Sequence, residues 1–389
     1  MKKIVLSAVA ISMMATAATA STSSELKELK AQMAAMAEKI AQLEAKQSKT
    51  TETIEAKEVD HASQLTSKSP VIELSGKHYL GFVSNDGTED EGNRFETRRN
   101  YLQVKGFFED NPKNYFRITL DTFQNTGESD AKDEDSWEVR LKYAYLYLDN
   151  VLPYTGVEIG QAHRPWIDYE EHGGWNYRSI SKVLVEADAG AHLTNSADLG
   201  VNFKTKTEHF SSELGLFNGE GYHGLEDGEG LSAEWRLTGH LLGTGKEKRK
   251  DDMTYADVSF FGQWNDVSNK HGNEDLNWYG VHAVYNQPEF LLAGQYVNTE
   301  DAITKYAGDG WSVNGEFRLA TLSEGMKDYG IIGRYDNWDL DGGEERRRTI
   351  AGLTYQYNKY VEFIANYMNE EIDSKDETDA FMLTTEVNW

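Results

Sequence analysis

Across residues 72–389 apolar and polar positions alternate in sixteen short runs, and the gaps between those runs alternate as well. Short gaps include 109–113 (EDNPK), 206–209 (KTEH), 286–289 (NQPE) and 357–360 (YNKY); long, acidic ones include 85–93, 124–136, 218–230 and 369–378. A period of two puts successive side chains on opposite faces of a strand. Leu102, Val104, Gly106 and Phe108 then share one face, and Arg99, Tyr101, Gln103 and Lys105 the other. The same reading sets Val139, Leu141, Tyr143, Tyr145 and Tyr147 against Glu138, Arg140 and Lys142. It also sets Trp311, Val313, Gly315 and Phe317 against Asn314, Glu316 and Arg318. Strands of about ten residues, tight turns at one end and long loops at the other predict an all-β transmembrane barrel of sixteen antiparallel strands. Pro112, Pro153 and Pro288 fall in short turns and Pro165 opens a loop, so none interrupts a strand core.

Ahead of the barrel the pattern changes twice. Lys2 and Lys3, an apolar core over 4–17 and Ala18-Thr19-Ala20 predict a secretory signal, 1–20, cleaved after Ala20. The apolar core is too short to span a bilayer as a helix. Over 21–60, Leu26, Met33, Ile40, Gln47 and Ile54 take heptad a positions, with Leu29, Met36, Leu43 and Thr50 at d. That spacing predicts an α-helical coiled coil, joined to the barrel by a polar linker, 61–71. An even number of strands leaves both barrel ends on the turn side, so the coiled coil belongs in the periplasm and a parallel bundle implies several copies. The other reading of 21–60 is a single amphipathic helix lying on the barrel. An exported chain without cysteine must be held by backbone pairing and packing, which a closed barrel provides. The end supports the same fold: Phe381, Leu383, Val387 and Trp389 alternate to a terminal aromatic, and Phe381 and Trp389 look like the assembly signal of outer-membrane barrels.

The net charge of −26 adds less than it first suggests. The seven loops 85–93, 124–136, 218–230, 266–275, 299–309, 338–345 and 369–378 hold 28 Asp/Glu against 4 Lys, so the acidity belongs to one rim. It serves solubility, or holds divalent cations against lipopolysaccharide. One connection differs. Residues 163–197 separate strand five (155–162) from strand six (198–205) and are aromatic and nearly neutral, which predicts a loop folded into the lumen. Its candidate constriction residues are Arg164, Trp166, Asp168, Glu170, Glu171, Arg178 and Lys182. Strand phase puts Lys77, Arg99, Lys105, Arg117, Arg140 and Lys142 on the inner wall of strands one to four, a basic strip that favours anions. The competing reading is that inward charges mainly pair with one another and keep the wall hydrated.

Several segments carry a resemblance: 94–110 (RFETRRNYLQVKGFFED), 115–120 (YFRITL), 143–161 (YAYLYLDNVLPYTGVEIGQ), 198–204 (DLGVNFK) and 311–319 (WSVNGEFRL). With Arg98-Arg99, Gly160-Gln161 running to Pro165, and Asp198-Leu199-Gly200, they resemble the phosphate-selective porin O and P family of Gram-negative bacteria. The resemblance implies a homotrimeric outer-membrane porin with a constricting third outer loop, and some relatives carry a periplasmic coiled coil. The acids Asp168, Glu170 and Glu171 depart from an all-basic constriction, so phosphate preference does not carry over with the fold. The expected function is passive diffusion of small hydrophilic solutes, with an anion preference. Alternatives are a plugged barrel anchored through its coiled coil, or a sugar or organic-solute channel using Trp166, Trp175 and Tyr177 as an aromatic slide. No nucleophile–base or metal-pair motif points to an enzyme. Expected partners are further copies of the chain, small solutes, and lipopolysaccharide with divalent cations, but no nucleic acid, cofactor or bound metal.

Overall fold

The computed structural model describes residues 71–86, 91–124, 137–224, 231–265, 276–302, 306–373 and 377–389. The signal (1–20), the coiled coil (21–60) and the linker up to Pro70 lie outside the described residues.

Strand formation follows the two-residue period. The strands are β1 (Val71–Asp86), β2 (Gly92–Phe107), β3 (Tyr115–Gln124), β4 (Trp137–Leu152), β5 (Thr155–His163), β6 (Ala197–Lys206), β7 (Phe210–Phe217) and β8 (Ser232–His240). The second half comprises β9 (Tyr255–Asn265), β10 (Asn277–Gln287), β11 (Phe290–Asp301), β12 (Gly308–Arg318), β13 (Tyr329–Leu340), β14 (Glu345–Asn358), β15 (Val361–Ile372) and β16 (Thr378–Asn388). Each pairs antiparallel with its sequence neighbours and β1 closes on β16, which leaves no sheet edge. In lipid an unpaired edge costs several kcal/mol per exposed group, so closure is obligatory for a spanning sheet. At the seam Gly76 and Trp389 exchange backbone bonds of 2.8 and 3.0 Å. Gly76 has no alternative there, since a Cβ would stand 2.6 Å from the Trp389 ring.

The outward face is apolar and the inward face mixed. On β10, Val281 and Tyr285 are exposed, whereas His282, Val284 and Asn286 are buried. Exposed Leu292, Tyr296, Trp311, Phe317, Tyr329, Ile331, Leu353, Phe363, Tyr367 and Phe381 continue that outer belt around β11–β16.

Two bulges correct the sequence-derived phase. The β3–β4 register runs Thr119↔Tyr143 and then Leu120↔Leu141, which leaves Lys142 as an extra residue. Beyond it Tyr143 and Tyr145 turn into the lumen, 6% and 1% exposed, instead of sharing the outer face of Val139 and Leu141. The face that stays outward is Ala144, Leu146 and Leu148, the more apolar one. The β1–β2 register likewise skips Arg98, between Tyr79↔Arg99 and Leu80↔Thr97. Bulges re-aim side chains in this way at barrel rims and sites.

Three connections also differ from expectation. The loop expected over 338–345 is a tight turn, because β13 runs to Leu340 and β14 begins at Glu345. The end with short turns carries two longer connections, 241–254 between β8 and β9 and 319–328 between β12 and β13.

The bulge at Lys142 yields a test. Deleting Lys142 leaves a regular strand with every other pairing kept, so the variant folds to a heat-modifiable barrel of nearly unchanged melting temperature. Deleting Ala351 from β14, whose register runs unbroken from Arg346 to Gln356, instead exchanges the two faces of one segment and abolishes the heat-modifiable band. Equal behaviour of the two deletions on semi-native gels would refute the bulge.

Candidate functional site

Between β5 and β6 the chain turns inward and does not return to the wall until Ala197. Its short helix α1 (Ile167–Glu171) and the following turns pack against the inner faces of β8–β14. The Trp166 ring stacks on Phe261 at 3.6 Å, and both are buried. Tyr169 Oη donates to Asp257 Oδ2 (2.7 Å), Asn314 Nδ2 to the Gly174 carbonyl (2.8 Å), Arg348 Nη2 to the Lys182 carbonyl (3.1 Å) and Arg346 Nη1 to the Gly190 carbonyl (3.1 Å). Arg164 forms a fully buried fork on Glu234 (Nε to Oε1, 2.8 Å) and donates to Gln263 (2.7 Å). Removing one partner of such a buried pair costs about 3–5 kcal/mol. The wall behind the loop is therefore a docking surface.

Its charges are consumed locally. Arg236 pairs with Glu213 (3.0 Å), Arg318 with Glu316 (3.1 Å), Arg334 with Asp336 (2.8 Å), and Arg348 with the same Asp336. Lys204 is shared by Glu158 and Glu213, 3.2 Å from each. For β5–β14 the expectation of mutual pairing holds.

The wall of β1–β4 is different. Lys77 pairs with Glu386 on β16 (3.0 Å), while Arg99 and Arg140 share the buried Asp121 Oδ2 at 3.0 and 3.1 Å. For Lys105, Arg117 and Lys142, no carboxylate among the described residues lies within ion-pair distance. Their partners are phenols. Lys142 Nζ donates to Tyr101 Oη (3.1 Å) and lies 4.5 Å from that ring's centroid. Arg117 donates to Tyr145 Oη (3.3 Å), lies 4.7 Å from the Tyr143 centroid, and has Nη1 3.2 Å from His163 Nε2. Lys105 stands 5.3 Å from the Tyr115 centroid. Asp121 and Glu386 thus hold three of these six cations, and Glu73 and Glu138 lie on the same inner face. A cation over a ring is worth about 0.5–2 kcal/mol, and a ring, unlike a carboxylate, leaves the positive charge in place.

The loop's own charged groups are largely satisfied within the loop. Arg178 is clamped by Glu171 and by Glu186 (Nη2 to Oε1, 2.8 Å). Burial would raise the Glu186 carboxyl, but Arg178 outweighs it and holds it down to about 2. Lys182 reaches Asp188 at 3.6 Å, and Asp168 lies between His172 (3.5 Å) and His163 (3.8 Å).

Of the predicted constriction residues, Asp168, Glu171, Arg178 and Lys182 are partly exposed, whereas Arg164, Trp166 and Glu170 are buried and serve docking. Trp166, Trp175 and Tyr177 are each at most 6% exposed and offer no slide to a solute. Sequence reasoning missed Tyr143, Tyr145 and Arg98. Arg98 donates to the Ser179 carbonyl (2.8 Å) and Thr384 Oγ1 (2.9 Å), tying the loop to β2 and β16. The adjacent Arg98-Arg99 pair inside a strand was the available signal.

This geometry, a closed sixteen-strand barrel with an inward-folded loop after the fifth strand, defines the porin fold. No protein-family model and no curated protein matches the chain. Solved structures do: OmpT of Vibrio cholerae, an outer membrane protein in trimer form, is 13% identical and covers 83% of this chain and 100% of its own, with a TM-score of 0.56. An anion-selective porin from Comamonas acidovorans is 12% identical over 82% and 99% of the two chains (TM-score 0.58). Salmonella typhi OmpF, in complex with daunomycin, is 16% identical over 83% and 99% (TM-score 0.56). At these identities the likeness carries the fold.

Glu170 makes loop docking pH-dependent. Burial pushes its carboxyl from 4.5 up to about 7; one oxygen accepts from Gln295, and the other has no protein partner. A carboxyl raised in the docked state keeps a proton that the released loop gives up. Docking therefore weakens as pH rises from 4.5 to 7 and levels off above that, by about 3 kcal/mol in all. Amide protection over 166–176, corrected for intrinsic exchange, should fall between pH 5 and 8, and Glu170→Gln should flatten the profile.

Proposed function

We propose that the protein is a porin of a Gram-negative outer membrane, forming a water-filled pore through which small hydrophilic solutes diffuse passively, anions preferentially. The observation that carries this reading is that Lys105 and Arg117, half-buried on the wall of β2 and β3, and the buried Lys142 of β4 have no carboxylate among the described residues within ion-pair distance. Cations lining a narrow, low-dielectric passage focus field lines and raise the local concentration of anions. The phosphate-selective O and P family remains our finer assignment, resting on the quoted motifs. In it the long loops face the outside, where their carboxylates suit divalent cations bridging lipopolysaccharide, and the short turns face the periplasm.

Planar-bilayer recording in a KCl gradient tests the reading. The wild type should give an anion-side reversal potential, and Lys105→Gln/Arg117→Gln/Lys142→Gln should move it towards zero. A cation-side reversal of the wild type, or no conductance, would overturn it; the latter would favour the anchor.

We further infer that copies associate through the outer face of β1–β3. There His78 and Asn100 (3.1 Å), Asn100 and Thr122 (2.9 Å), and Asn100 and Thr97 (2.9 Å) form a polar, hydrogen-bonded patch where lipid would demand apolar groups. Trp389 Nε1 adds a bond to His78 Nε2 (2.9 Å). His78→Leu/Asn100→Leu should leave a folded monomeric barrel but abolish the oligomer on semi-native gels; a retained oligomer would refute this surface.

A further inference from the structure

His163 ends β5 and opens the inner loop, and its side chain is buried. Its two ring nitrogens meet opposite kinds of group. Nδ1 lies 3.1 Å from Glu158 Oε2, and Nε2 lies 3.2 Å from Arg117 Nη1. A guanidinium can only donate, so Nε2 is the bare nitrogen and the ring proton sits on Nδ1, towards Glu158. The ring in this arrangement is neutral. Arg117 spends both Nη1 protons on the wall, one on His163 and one on Tyr145 Oη (3.3 Å), and its Nε–H on Thr119 Oγ1 (3.0 Å).

The surroundings hold the partners for a second arrangement. Asp168 Oδ1, on α1 of the loop, stands 3.8 Å from the same Nε2. Glu158 of β5 faces Nδ1, and Lys204 of β6 is shared between that Glu158 and Glu213 of β7, 3.2 Å from each. Tyr143 and Tyr145 of β4 pack on the ring, with centroids 4.3 and 5.4 Å away. Asn202 of β6 donates to the His163 carbonyl (3.0 Å), and His172 of the loop lies 3.5 Å from Asp168. A proton added at Nε2 would therefore give each ring nitrogen a carboxylate, Glu158 at Nδ1 and Asp168 at Nε2. A buried imidazolium is tolerable on those terms. The same proton removes the acceptor of Arg117 and sets a like charge beside it.

We propose that His163 is a positioning residue for the selectivity of the pore. Neutral, it holds Arg117 against the wall; protonated, it engages Asp168 and releases the guanidinium towards the passage. This role rests on the anion-preferring reading of the pore and adds how the preference is set. Three consequences of the proton run in one direction. It adds a positive charge, it frees Arg117, and it occupies a partly exposed acid of the loop. The preference for small anions should therefore strengthen as pH falls through the range in which histidine changes charge.

The test is the reversal potential of the full-length protein in a KCl gradient at pH 8 and pH 5.5, for the wild type, His163→Gln, His163→Ala and His172→Gln. The chloride-to-potassium permeability ratio of the wild type should rise roughly two-fold or more on acidification. Glutamine offers Glu158 an amide N–H and Arg117 an amide oxygen, so it copies the neutral ring and cannot titrate. Alanine offers Arg117 nothing. Both variants should lose most of the pH response, but at different levels: His163→Ala should give the higher ratio at pH 8, and His163→Gln the lower. His172→Gln should still rise. Heat-modifiable gel mobility establishes that each barrel is folded. An anion-preferring wild type whose rise persists in His163→Gln, or equal ratios for the two His163 variants at pH 8, would overturn the role of His163 alone. A wild type that prefers potassium at both pH values would overturn the underlying reading as well.

Discussion

The arrangement depends on where the buried carboxylates are spent. A loop drawn into a barrel must satisfy its backbone and charged groups away from water, and a buried charge is tolerable only when paired. The inner loop meets this demand on one side. Arg164 takes Glu234, Tyr169 takes Asp257, and Arg334 and Arg348 share Asp336 behind it. Glu171 and Glu186 are committed to Arg178 within the loop. On the opposite wall Asp121 and Glu386 hold Lys77, Arg99 and Arg140, while Lys105, Arg117 and Lys142 stand beyond ion-pair distance of any carboxylate among the described residues. The basic strip is thus the remainder after loop docking, and its charge is a consequence of how the loop is fastened.

Tyrosine completes the arrangement. A lysine or arginine left beside carboxylates would be neutralised; one left in a purely apolar wall would pay full desolvation. Tyr101, Tyr143 and Tyr145 avoid both by offering a ring face and a hydroxyl, which support a cation without cancelling it. Their inward position depends on one inserted residue. Without the extra residue at Lys142, strict alternation from Leu141 would send all three tyrosines of β4 outward.

That dependence marks the limit of what the sequence made legible. The number of strands, the loop after strand five and its inward fold follow from period, spacing and composition, because each is an average over many residues. Lys77, Arg99, Lys105, Arg117, Arg140 and Lys142 all face inward as their phase indicates. Bulges are single-residue events, and a one-residue slip exchanges the two faces of everything beyond it. The clue in β4 was qualitative: Ala144, Leu146 and Leu148 form a more apolar face than the tyrosines and are better placed against lipid. Pairing partners were not legible at all, since Arg164 and Glu234 are 70 residues apart and meet only once the barrel closes.

The net charge of −26 and a cation-lined wall are compatible because selectivity is decided over short distances. Near 0.15 M salt, charges more than about 8 Å apart in water are largely screened from one another. The acidic residues belong mainly to connections outside the strands, where a permeating ion keeps its shell and ambient salt. In the narrowed passage the loop occupies one side, the walls are of low dielectric, and a charge acts more strongly. On the anion-preferring reading proposed above, an anion there passes Arg117 and Lys105 at close range, and charges more than a Debye length away are screened. Summed charge therefore describes how the protein meets its surroundings, and the uneven pairing across the lumen describes what it admits.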